Sequence, residues 1–223
     1  MQNFSTMKLH YLSQNNSILN HFLAQLRDVT VQKDSMRFRR NMQRTGEIMA
    51  YEISKTLTYT PARIATPLGV KNTRFIKNSI VICSILRAGL ALHDGFISFF
   101  DDAENGFISA YRHHANNDDT FDIVVQYKAA PQLNGKIVIL ADPMLATGQS
   151  LVAVYKKLLE NELPKEIHIA VVIAAPEGIA FLEENLPQNC HLWIADVDSH
   201  LNEKQYIVPG LGDAGDLSFG EKM

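Results

Sequence analysis

The spacing of apolar residues is helical near the N-terminus of the chain. The pair Asp34-Ser35 can cap the start of a helix with a side-chain oxygen. After this pair, apolar residues recur near helical spacing at Phe38, Met42, Met49, Ile53 and Leu57, with charged residues at other positions. The pattern predicts an N-terminal helical arm over residues 1–57, which packs on the core or on a second subunit.

The helical period ends where prolines begin, in residues 58–78. Two short stretches, TPAR at 60–63 and TPLG at 66–69, interrupt this segment. Proline cannot donate a backbone hydrogen bond, so within strands it is confined to edges and turns. The segment is therefore predicted to be a β-hairpin flap with exposed edges.

Between residues 79 and 200, short apolar runs alternate with helical stretches. The first run, SIVICSIL at 79–86, is apolar almost throughout, which is typical of a parallel sheet covered on both faces. The predicted strands are 79–86, 107–111, 122–127, 136–141, 166–174 and 191–195, and the predicted helices are 88–99, 149–161 and 177–185. This alternation predicts an α/β fold with a mostly parallel twisted sheet and helices on both faces. Residues 1–223 are predicted to form a single domain, with 79–200 as the core sheet and 201–223 as a tail.

Composition narrows the class of protein. The chain has 223 residues, of which 46% are apolar, and a net charge of −3, which argues against a generic polyanion binder and an acidic disordered tail. The sequence lacks a secretory signal and any apolar stretch long enough to span a membrane. Cys83 and Cys190 stand beside β-branched or aromatic residues, which favours reduced core thiols in a cytoplasmic protein.

Candidate chemistry lies where strands end, because ligands of parallel sheets bind beyond the carboxyl ends of the strands. The fourth predicted strand continues into DPMLATGQS, where Asp142 offers a carboxylate and Thr147 and Ser150 offer hydroxyls. Gly148 permits close backbone approach in front of a helix start, whose unpaired N–H groups suit a phosphate. An ordinary capped turn is the alternative. Gln149 stands where a P-loop has lysine, and GxGxxG is absent, so neither of those nucleotide motifs is expected.

Three stretches of the chain resemble one known family. DPMLATGQS at 142–150 is similar to the phosphoribosyl-diphosphate (PRPP) loop of uracil phosphoribosyltransferases, DPMLATGGS. SILRAGLALHDG at 84–95 resembles PILRAGLG…DG of that family, and YIVPGLGDAGDLSFG at 206–220 resembles its uracil-binding tail. AAPEG at 174–178 also matches. The resemblance implies the phosphoribosyltransferase fold and the salvage reaction of uracil with PRPP to give UMP and pyrophosphate. The three stretches would then line one shared pocket.

The resemblance implies PRPP contacts from one loop and two arginines. The 5′-phosphate and ribose are expected at Asp142, Pro143, Met144, Leu145, Ala146, Thr147, Gly148, Gln149 and Ser150. Arg87 and Arg112 each follow an apolar strand, and a forked guanidinium suits pyrophosphate. These two arginines and Asp142 are the catalytic candidates, although a surface role is the alternative for any single arginine. The resemblance also implies a cis peptide bond between Leu86 and Arg87.

The tail is assigned to the base by the same resemblance. Ile207, Gly212 and Ala214 are expected to contact uracil through the main chain, and Asp213 is expected at both the uracil and the PRPP side. A glycine-rich loop with helix caps is the alternative. Mg²⁺ is the expected cofactor because it bridges substrate oxygens with waters and one or two carboxylates. No dedicated protein cluster of metal ligands is expected.

The chain departs from the family pattern at three places. His113-His114 replaces Arg-Asn in the polar segment 113–120, which is expected to form a lid, and adjacent histidines without further ligands argue against a zinc site. Ser84 replaces a proline. Gln149 replaces a glycine, so it would strain the loop at positive φ and would be harmless at a helical position.

Two other functions stay open at this stage. One is a phosphoribosyltransferase for another base, and the other is a nucleotide-sensing regulator that has lost turnover. An RNA-binding regulator should show a basic face, and only the local cluster Arg37, Arg39, Arg40 and Arg44 suggests one. Some members of the family respond to GTP through an oligomer, so the resemblance implies a GTP effector and a homodimer or larger homo-oligomer. No nucleic-acid or membrane partner is expected.

Overall fold

An eight-stranded sheet forms the centre of the fold. The structure, a computed structural model, describes residues 7–113, 122–187 and 189–222, with the backbone alone at 111–113 and 122–123. In chain order the elements are β1 (Lys8–Tyr11), α1 (Ile18–Arg27), α2 (Ser35–Ser54), β2 (Tyr59–Thr66), β3 (Gly69–Ile76), β4 (Ile80–Leu86), α3 (Leu90–Ile97), β5 (Glu104–His113), β6 (Asp122–Ala129), β7 (Ile137–Ala141), β8 (Met144–Leu145), α4 (Gln149–Leu158), β9 (Glu166–Ala174), α5 (Pro176–Asn185), β10 (Cys190–Val197), β11 (His200–Leu201), β12 (Ile207–Val208) and α6 (Ala214–Phe219).

The strands of the sheet follow the order β1-β10-β9-β7-β4-β5-β6, with β8 paired to β9. Neighbouring strands are parallel except for β5 and β6, which are antiparallel. The antiparallel pair follows from chain length, because the connection at 114–121 is shorter than the dozen or so residues that a parallel crossover needs. The predicted mostly parallel sheet is confirmed.

Apolar layers cover the two faces of the sheet. Helices α1, α2 and α3 pack on one face, where Phe38, Leu92 and Trp193 belong to one core cluster. Helices α4 and α5 pack on the other face, where Val154 and Leu182 belong to a second cluster. Cys83 and Cys190 are buried and unpaired, as predicted. Burial on both faces explains why strands such as β9 are apolar almost throughout.

The first 78 residues contain the predicted helix and hairpin and one strand that was missed. Asp34 caps α2 as predicted, because its carboxylate accepts a hydrogen bond from the Arg37 amide at 3.1 Å. Strands β2 and β3 form the predicted hairpin. The prediction of a purely helical arm is wrong at β1, which pairs with β10 at the sheet edge. Only four residues form β1, so its pattern was too short to separate from a loop.

A histidine inside the sheet ties two strands together near that edge. His168 on β9 is fully buried, and its Nδ1 lies 3.0 Å from the indole nitrogen of Trp193 on β10. An indole N–H can only donate, so Nδ1 of His168 accepts and the ring is neutral. Burial, and after it the nearby His191, lowers the pKa of His168 to about 3.

Replacing this histidine is expected to change how stability depends on pH. Between pH 6.5 and 3 the unfolded chain binds a proton at His168 that the folded chain excludes, so stability falls as pH falls. In His168→Asn the amide oxygen can still accept from Trp193, but nothing titrates. Relative to this variant, the wild type should lose about 3 kcal/mol more between pH 7 and pH 4. Urea unfolding at both pH values measures the difference. His21→Asn, at an exposed histidine of α1, is the control, and parallel curves for wild type and His168→Asn would contradict the assignment.

Candidate active site

One pocket of about 710 Å³ lies at the carboxyl ends of β4 and β7. Three segments that are far apart in sequence line it: residues 85–88 at the end of β4, the loop and helix start after β7, and tail residues between Tyr206 and Lys222. The prediction that these segments share a pocket is confirmed. The lining residues from the predicted set are Arg87, Asp142, Met144, Leu145, Ala146, Thr147, Gly148, Ser150, Ile207, Gly212, Asp213 and Ala214.

Backbone hydrogen bonds attach the loop after β7 to β9 and to the residue that follows β9. The Pro143 carbonyl accepts from the amides of Val172 and Ile173 at 3.0 Å each, and the Leu145 carbonyl accepts from Ala175 at 2.9 Å. Pro143 is therefore buried beneath the loop and does not line the pocket. The loop is thus attached to β9 along its length, and its other face stays open to the pocket.

The end of the loop is shaped for close approach to the first turn of α4. Gly148 has φ of 81° and precedes the helix, and Gln149 is the first helical residue. Gln149 is exposed and lies outside the pocket lining. The positive φ therefore falls on a glycine, and glutamine at a helical position is harmless. The unpaired N–H groups that a helix start leaves in its first turn suit an anion.

Asp142 stands at the end of β7, at the bottom of the pocket. Its amide donates to the Ala170 carbonyl at 3.1 Å, and its Oδ1 lies 3.3 Å from the Met144 amide. Protein atoms surround the carboxyl group of Asp142. The residue as a whole is partly exposed, because it lines the pocket. This burial raises the pKa of Asp142 to about 7, and the Met144 amide lowers it only in part. A carboxylate in this place gains most from donors or positive charge brought by a ligand.

Arg87 connects the end of β4 to the tail. The Leu86-Arg87 peptide bond is cis, as predicted. One Nη of Arg87 donates to Oδ1 of Asp216 at 2.8 Å and to the Gly220 carbonyl at 3.1 Å. Its Nε is buried and has no hydrogen-bond partner among the described residues. A buried donor without a partner is costly, so an acceptor that reaches this N–H would gain binding energy from it.

The tail reaches the pocket through a tight turn. The Val208-Pro209 bond is cis, and β12 before it pairs with β11. Asp213 caps α6 by accepting from the Asp216 amide at 2.9 Å, so the capping alternative is also realised. Lys222 Nζ lies 4.0 Å from Asp213. Gly212, Ala214 and Gly215 contribute little side-chain bulk to this wall of the pocket.

Comparisons with known proteins agree with this arrangement. The family model described as "Uracil phosphoribosyltransferase" matches residues 13–221. The chain belongs to the uracil phosphoribosyltransferase family. A relative named uracil phosphoribosyltransferase from Porphyromonas gingivalis is 46% identical over 97% of this chain and 100% of the relative. One from Pyrococcus furiosus is 36% identical over 96% of this chain and 90% of the relative. The solved structure of AQ2163 protein from Aquifex aeolicus has a TM-score of 0.83 at 30% identity, over 96% of this chain and 99% of that chain.

One departure from the family pattern has a local partner. Ser84 stands where the family has proline, and its hydroxyl lies 2.7 Å from Nδ1 of His93 in α3. Both side chains are buried. Burial lowers the pKa of His93, although a hydrogen bond to Asn105 opposes the shift. The substitution is therefore accommodated by a buried hydrogen bond behind the pocket.

Some predicted features fall where little or nothing is described. The side chain of Arg112 lies outside the described residues, although its backbone belongs to β5. The predicted lid at 113–120 also lies outside them, apart from the backbone of His113, and so do the side chains of His113 and His114. Across the rest of the chain, no three His, Cys, Asp or Glu residues are grouped to hold a metal ion. None of the helices described has the length and apolarity needed to cross a membrane.

Sequence reasoning did not single out several residues of the pocket as individual contacts. Tyr206, Asp216 and Lys222 line it, and Asp216 pairs with Arg87. Tyr206 and Asp216 lie within the tail motif of the uracil phosphoribosyltransferase family, so the signal was present. No pattern in the sequence pointed to Lys222, which follows that motif.

The loop also rests on α5. A Cβ at Gly178 would stand 2.2 Å from the Ala146 carbonyl oxygen and 3.0 Å from Leu145 Cγ. These are backbone and core atoms that cannot move away without moving the loop. Gly178 therefore allows the loop to lie close against α5, although it does not line the pocket itself.

A methyl group at this position is expected to displace the loop. Gly178→Ala should raise the KM for PRPP about 10-fold or more, because misplacement of a binding loop by about 1 Å is costly. Ala180→Gly is the control, since it weakens the same helix by about 1 kcal/mol at an exposed position. Steady-state kinetics at saturating uracil measure both. A wild-type KM in Gly178→Ala would contradict the role of α5.

Proposed function

We propose that the chain catalyses transfer of the phosphoribosyl group from PRPP to uracil, giving UMP and pyrophosphate in pyrimidine salvage. The observation that carries the proposal is the single pocket in which the PRPP loop, Arg87 and the base-binding tail of the family meet. Membership of the uracil phosphoribosyltransferase family supports it. The enzyme is accordingly a transferase of the glycosyltransferase class.

The PRPP loop is proposed to bind the 5′-phosphate and the ribose. Backbone amides between Ala146 and Ser150 would donate to the phosphate, at the positive end of the α4 dipole. Asp142 would accept hydrogen bonds from ribose hydroxyls. As pyrophosphate leaves with the C1′–O bonding electrons, positive charge develops on the ribose, and the Asp142 carboxylate would stabilise that charge from the side of the ribose hydroxyls. Uracil N1 forms the new bond to C1′ as the C1′–O bond breaks, and its proton passes to the departing pyrophosphate or to water.

The leaving pyrophosphate is proposed to contact arginines. Arg87 offers a buried Nε–H that has no partner in the described part of the chain, and a second donor now bound to Asp216. A forked guanidinium can bind two phosphate oxygens at once, which a point charge cannot. Arg112 is proposed to act in the same way from the end of β5. Positive charge at this edge stabilises the leaving group in the transition state.

Uracil is proposed to bind against the backbone of the tail. Ile207, Gly212 and Ala214 line the pocket, and uracil presents two carbonyls and two N–H groups along a planar edge. Main-chain donors and acceptors can meet that edge without side-chain bulk. Cytosine carries an amino group in place of one carbonyl, so it would leave a buried polar group unpaired, and such mismatches are strongly rejected.

Mg²⁺ is proposed to arrive with PRPP. Asp213 lines the pocket and its side chain is more than half exposed, so one carboxylate is available beside the substrate oxygens. When bound, Mg²⁺ would neutralise charge on the diphosphate. The residues present therefore fit a substrate-borne ion.

An assembled enzyme in the cytoplasm is part of the proposal. Leu68, Val70 and Phe75 expose large apolar side chains on the hairpin, which supports a homodimer or larger homo-oligomer. GTP is proposed as an effector of that oligomer on family grounds alone. Light scattering with and without GTP tests both points.

The direct test is a reaction with purified protein. PRPP, Mg²⁺ and uracil are mixed with the enzyme, and UMP and pyrophosphate are followed together. A panel of cytosine, hypoxanthine and adenine separates this function from a phosphoribosyltransferase for another base. Binding of PRPP without product from any base would instead favour a regulator that has lost turnover.

A further inference from the structure

The turn that leads into the base-binding tail is bound on both sides by side chains from elsewhere. The Gly210 amide donates to Oδ2 of Asp198 at 3.1 Å, and the Gly210 carbonyl accepts from an Nη of Arg27 at 3.0 Å. The next carbonyl, of Leu211, accepts from Nε2 of Gln32 at 3.0 Å. Three backbone polar groups of the two residues Gly210 and Leu211 thus have partners outside the tail.

Arg27 is itself held by two carboxylates. One Nη donates to Oδ2 of Asp198 at 2.9 Å, and the other lies 2.7 Å from Oδ1 of Asp198 and 2.8 Å from Asp196. Asp198 is 6% exposed, so this forked pair is nearly closed to water. Two-point contacts of this kind fix orientation as well as distance. The guanidinium is therefore held in a fixed position at the end of β10, and its hydrogen bond fixes the position of the Gly210 carbonyl.

Two of these partners, Arg27 and Gln32, come from the N-terminal arm, to which sequence analysis assigned no site residue. Arg27 is the last residue of α1, and Gln32 lies in the connection to α2. Gln32 also donates to the Leu26 carbonyl at 2.8 Å, which ties the turn to the end of α1. Neither side chain lines the pocket. Both contact the segment between Ile207 and Gly212, where the backbone meets the pocket.

We propose that Arg27 and Gln32 are positioning residues for the base. They hold the peptide groups at Gly210 and Leu211, so that the neighbouring backbone presents its donors and acceptors at the spacing of a uracil edge. The inference rests on the proposed function. It predicts a selective effect, because no hydrogen bond joins either side chain to the PRPP loop among the residues described. Loss of these contacts loosens the base site and leaves the phosphate site unchanged.

Two variants test the inference. Gln32→Met removes the donor to Leu211 at similar side-chain length and leaves no buried charge unpaired. Arg27→Lys keeps one positive charge beside Asp198 but cannot bind both carboxylates and the Gly210 carbonyl. Each should raise the KM for uracil about 10-fold to 100-fold, with the KM for PRPP within about twofold of wild type. Cytosine and 5-substituted uracils should be rejected less strongly than by wild type.

The control is Arg37→Met, at an exposed arginine whose contact is a 3.9 Å ion pair with Asp34. It should leave both KM values unchanged. If the two test variants raise both KM values equally, or neither, positioning by the arm is overturned while the function stands. If wild type makes no UMP from uracil, the proposed function fails and the inference falls with it. Should Arg27→Lys fail to fold, Gln32→Met alone decides.

Discussion

Replacing Asp142 by asparagine is expected to lower kcat for UMP formation about 10²-fold to 10³-fold, the usual effect of removing one group that stabilises transition-state charge. The amide keeps the shape of the side chain, and its oxygen can still accept from the Met144 amide. It lacks the negative charge that would face the ribose as pyrophosphate departs. Turnover at saturating PRPP and uracil measures the loss. Asp102→Asn, at an exposed turn residue, is the matched control.

The same substitution is expected to stabilise the ligand-free protein at pH 8. In the fold the pKa of Asp142 is raised to about 7, from the ordinary value of 3.8. Between these values the unfolded chain loses a proton that the folded chain retains, so ionisation favours unfolding as pH rises. Asparagine removes this cost, which is at most about 4 kcal/mol above pH 7 and absent at pH 4. Urea unfolding at both pH values gives the difference.

If the variant loses activity because it unfolds, Asp142 is needed for the structure rather than for the reaction. If Asp142→Asn lowers stability at pH 8, the carboxylate serves mainly as a structural cap of the loop. If turnover falls and stability at pH 8 rises, the fold maintains a costly carboxylate because the reaction uses it. A cost of this kind is common where binding groups are kept for function.

Most of the sheet could be predicted because its strands have a distinctive apolar sequence pattern. The predicted strand 166–174 coincides with β9, since burial on both faces demands an unbroken apolar run. The N-terminal strand β1 could not be predicted in the same way. Its sequence, KLHY, is short and half polar, and it becomes a strand only because β10 offers an unpaired edge. Tertiary pairing, rather than local preference, decides such elements.

The residues of the site fall into the same two groups: some could be predicted from local sequence, and others could be found only in the structure. Asp142 and Gly148 could be predicted because loop chemistry is local, and the resemblance named the tail. Whether Gln149 strains the loop could be decided only from the structure, in which Gln149 lies in the helix and the positive φ belongs to Gly148. Arg27 and Asp198 are far apart in sequence and carry no motif, so their contact with Gly210 appears only in three dimensions.

Arg87→Lys is expected to lower kcat/KM for PRPP about 10²-fold, because lysine removes the fork and the buried Nε–H that has no partner among the described residues. The ammonium group retains the charge, so a purely electrostatic attraction to PRPP would survive. The loss should therefore exceed what charge alone explains, and it should appear with PRPP rather than with uracil. Initial rates at varied PRPP and fixed saturating uracil measure it.

Asp216→Asn separates the two roles that Arg87 could have. In the ligand-free pocket Arg87 donates to Asp216 at 2.8 Å, and pyrophosphate must compete with this carboxylate for the same donor. If Arg87 mainly holds the tail in place, Asp216→Asn should lose as much activity as Arg87→Lys, with a similar fall in melting temperature. If Arg87 contacts the leaving group, Asp216→Asn weakens a competitor and should lose less than about 10-fold in kcat/KM. Equal losses in the two variants would overturn the leaving-group role, because only the shared ion pair would then account for both.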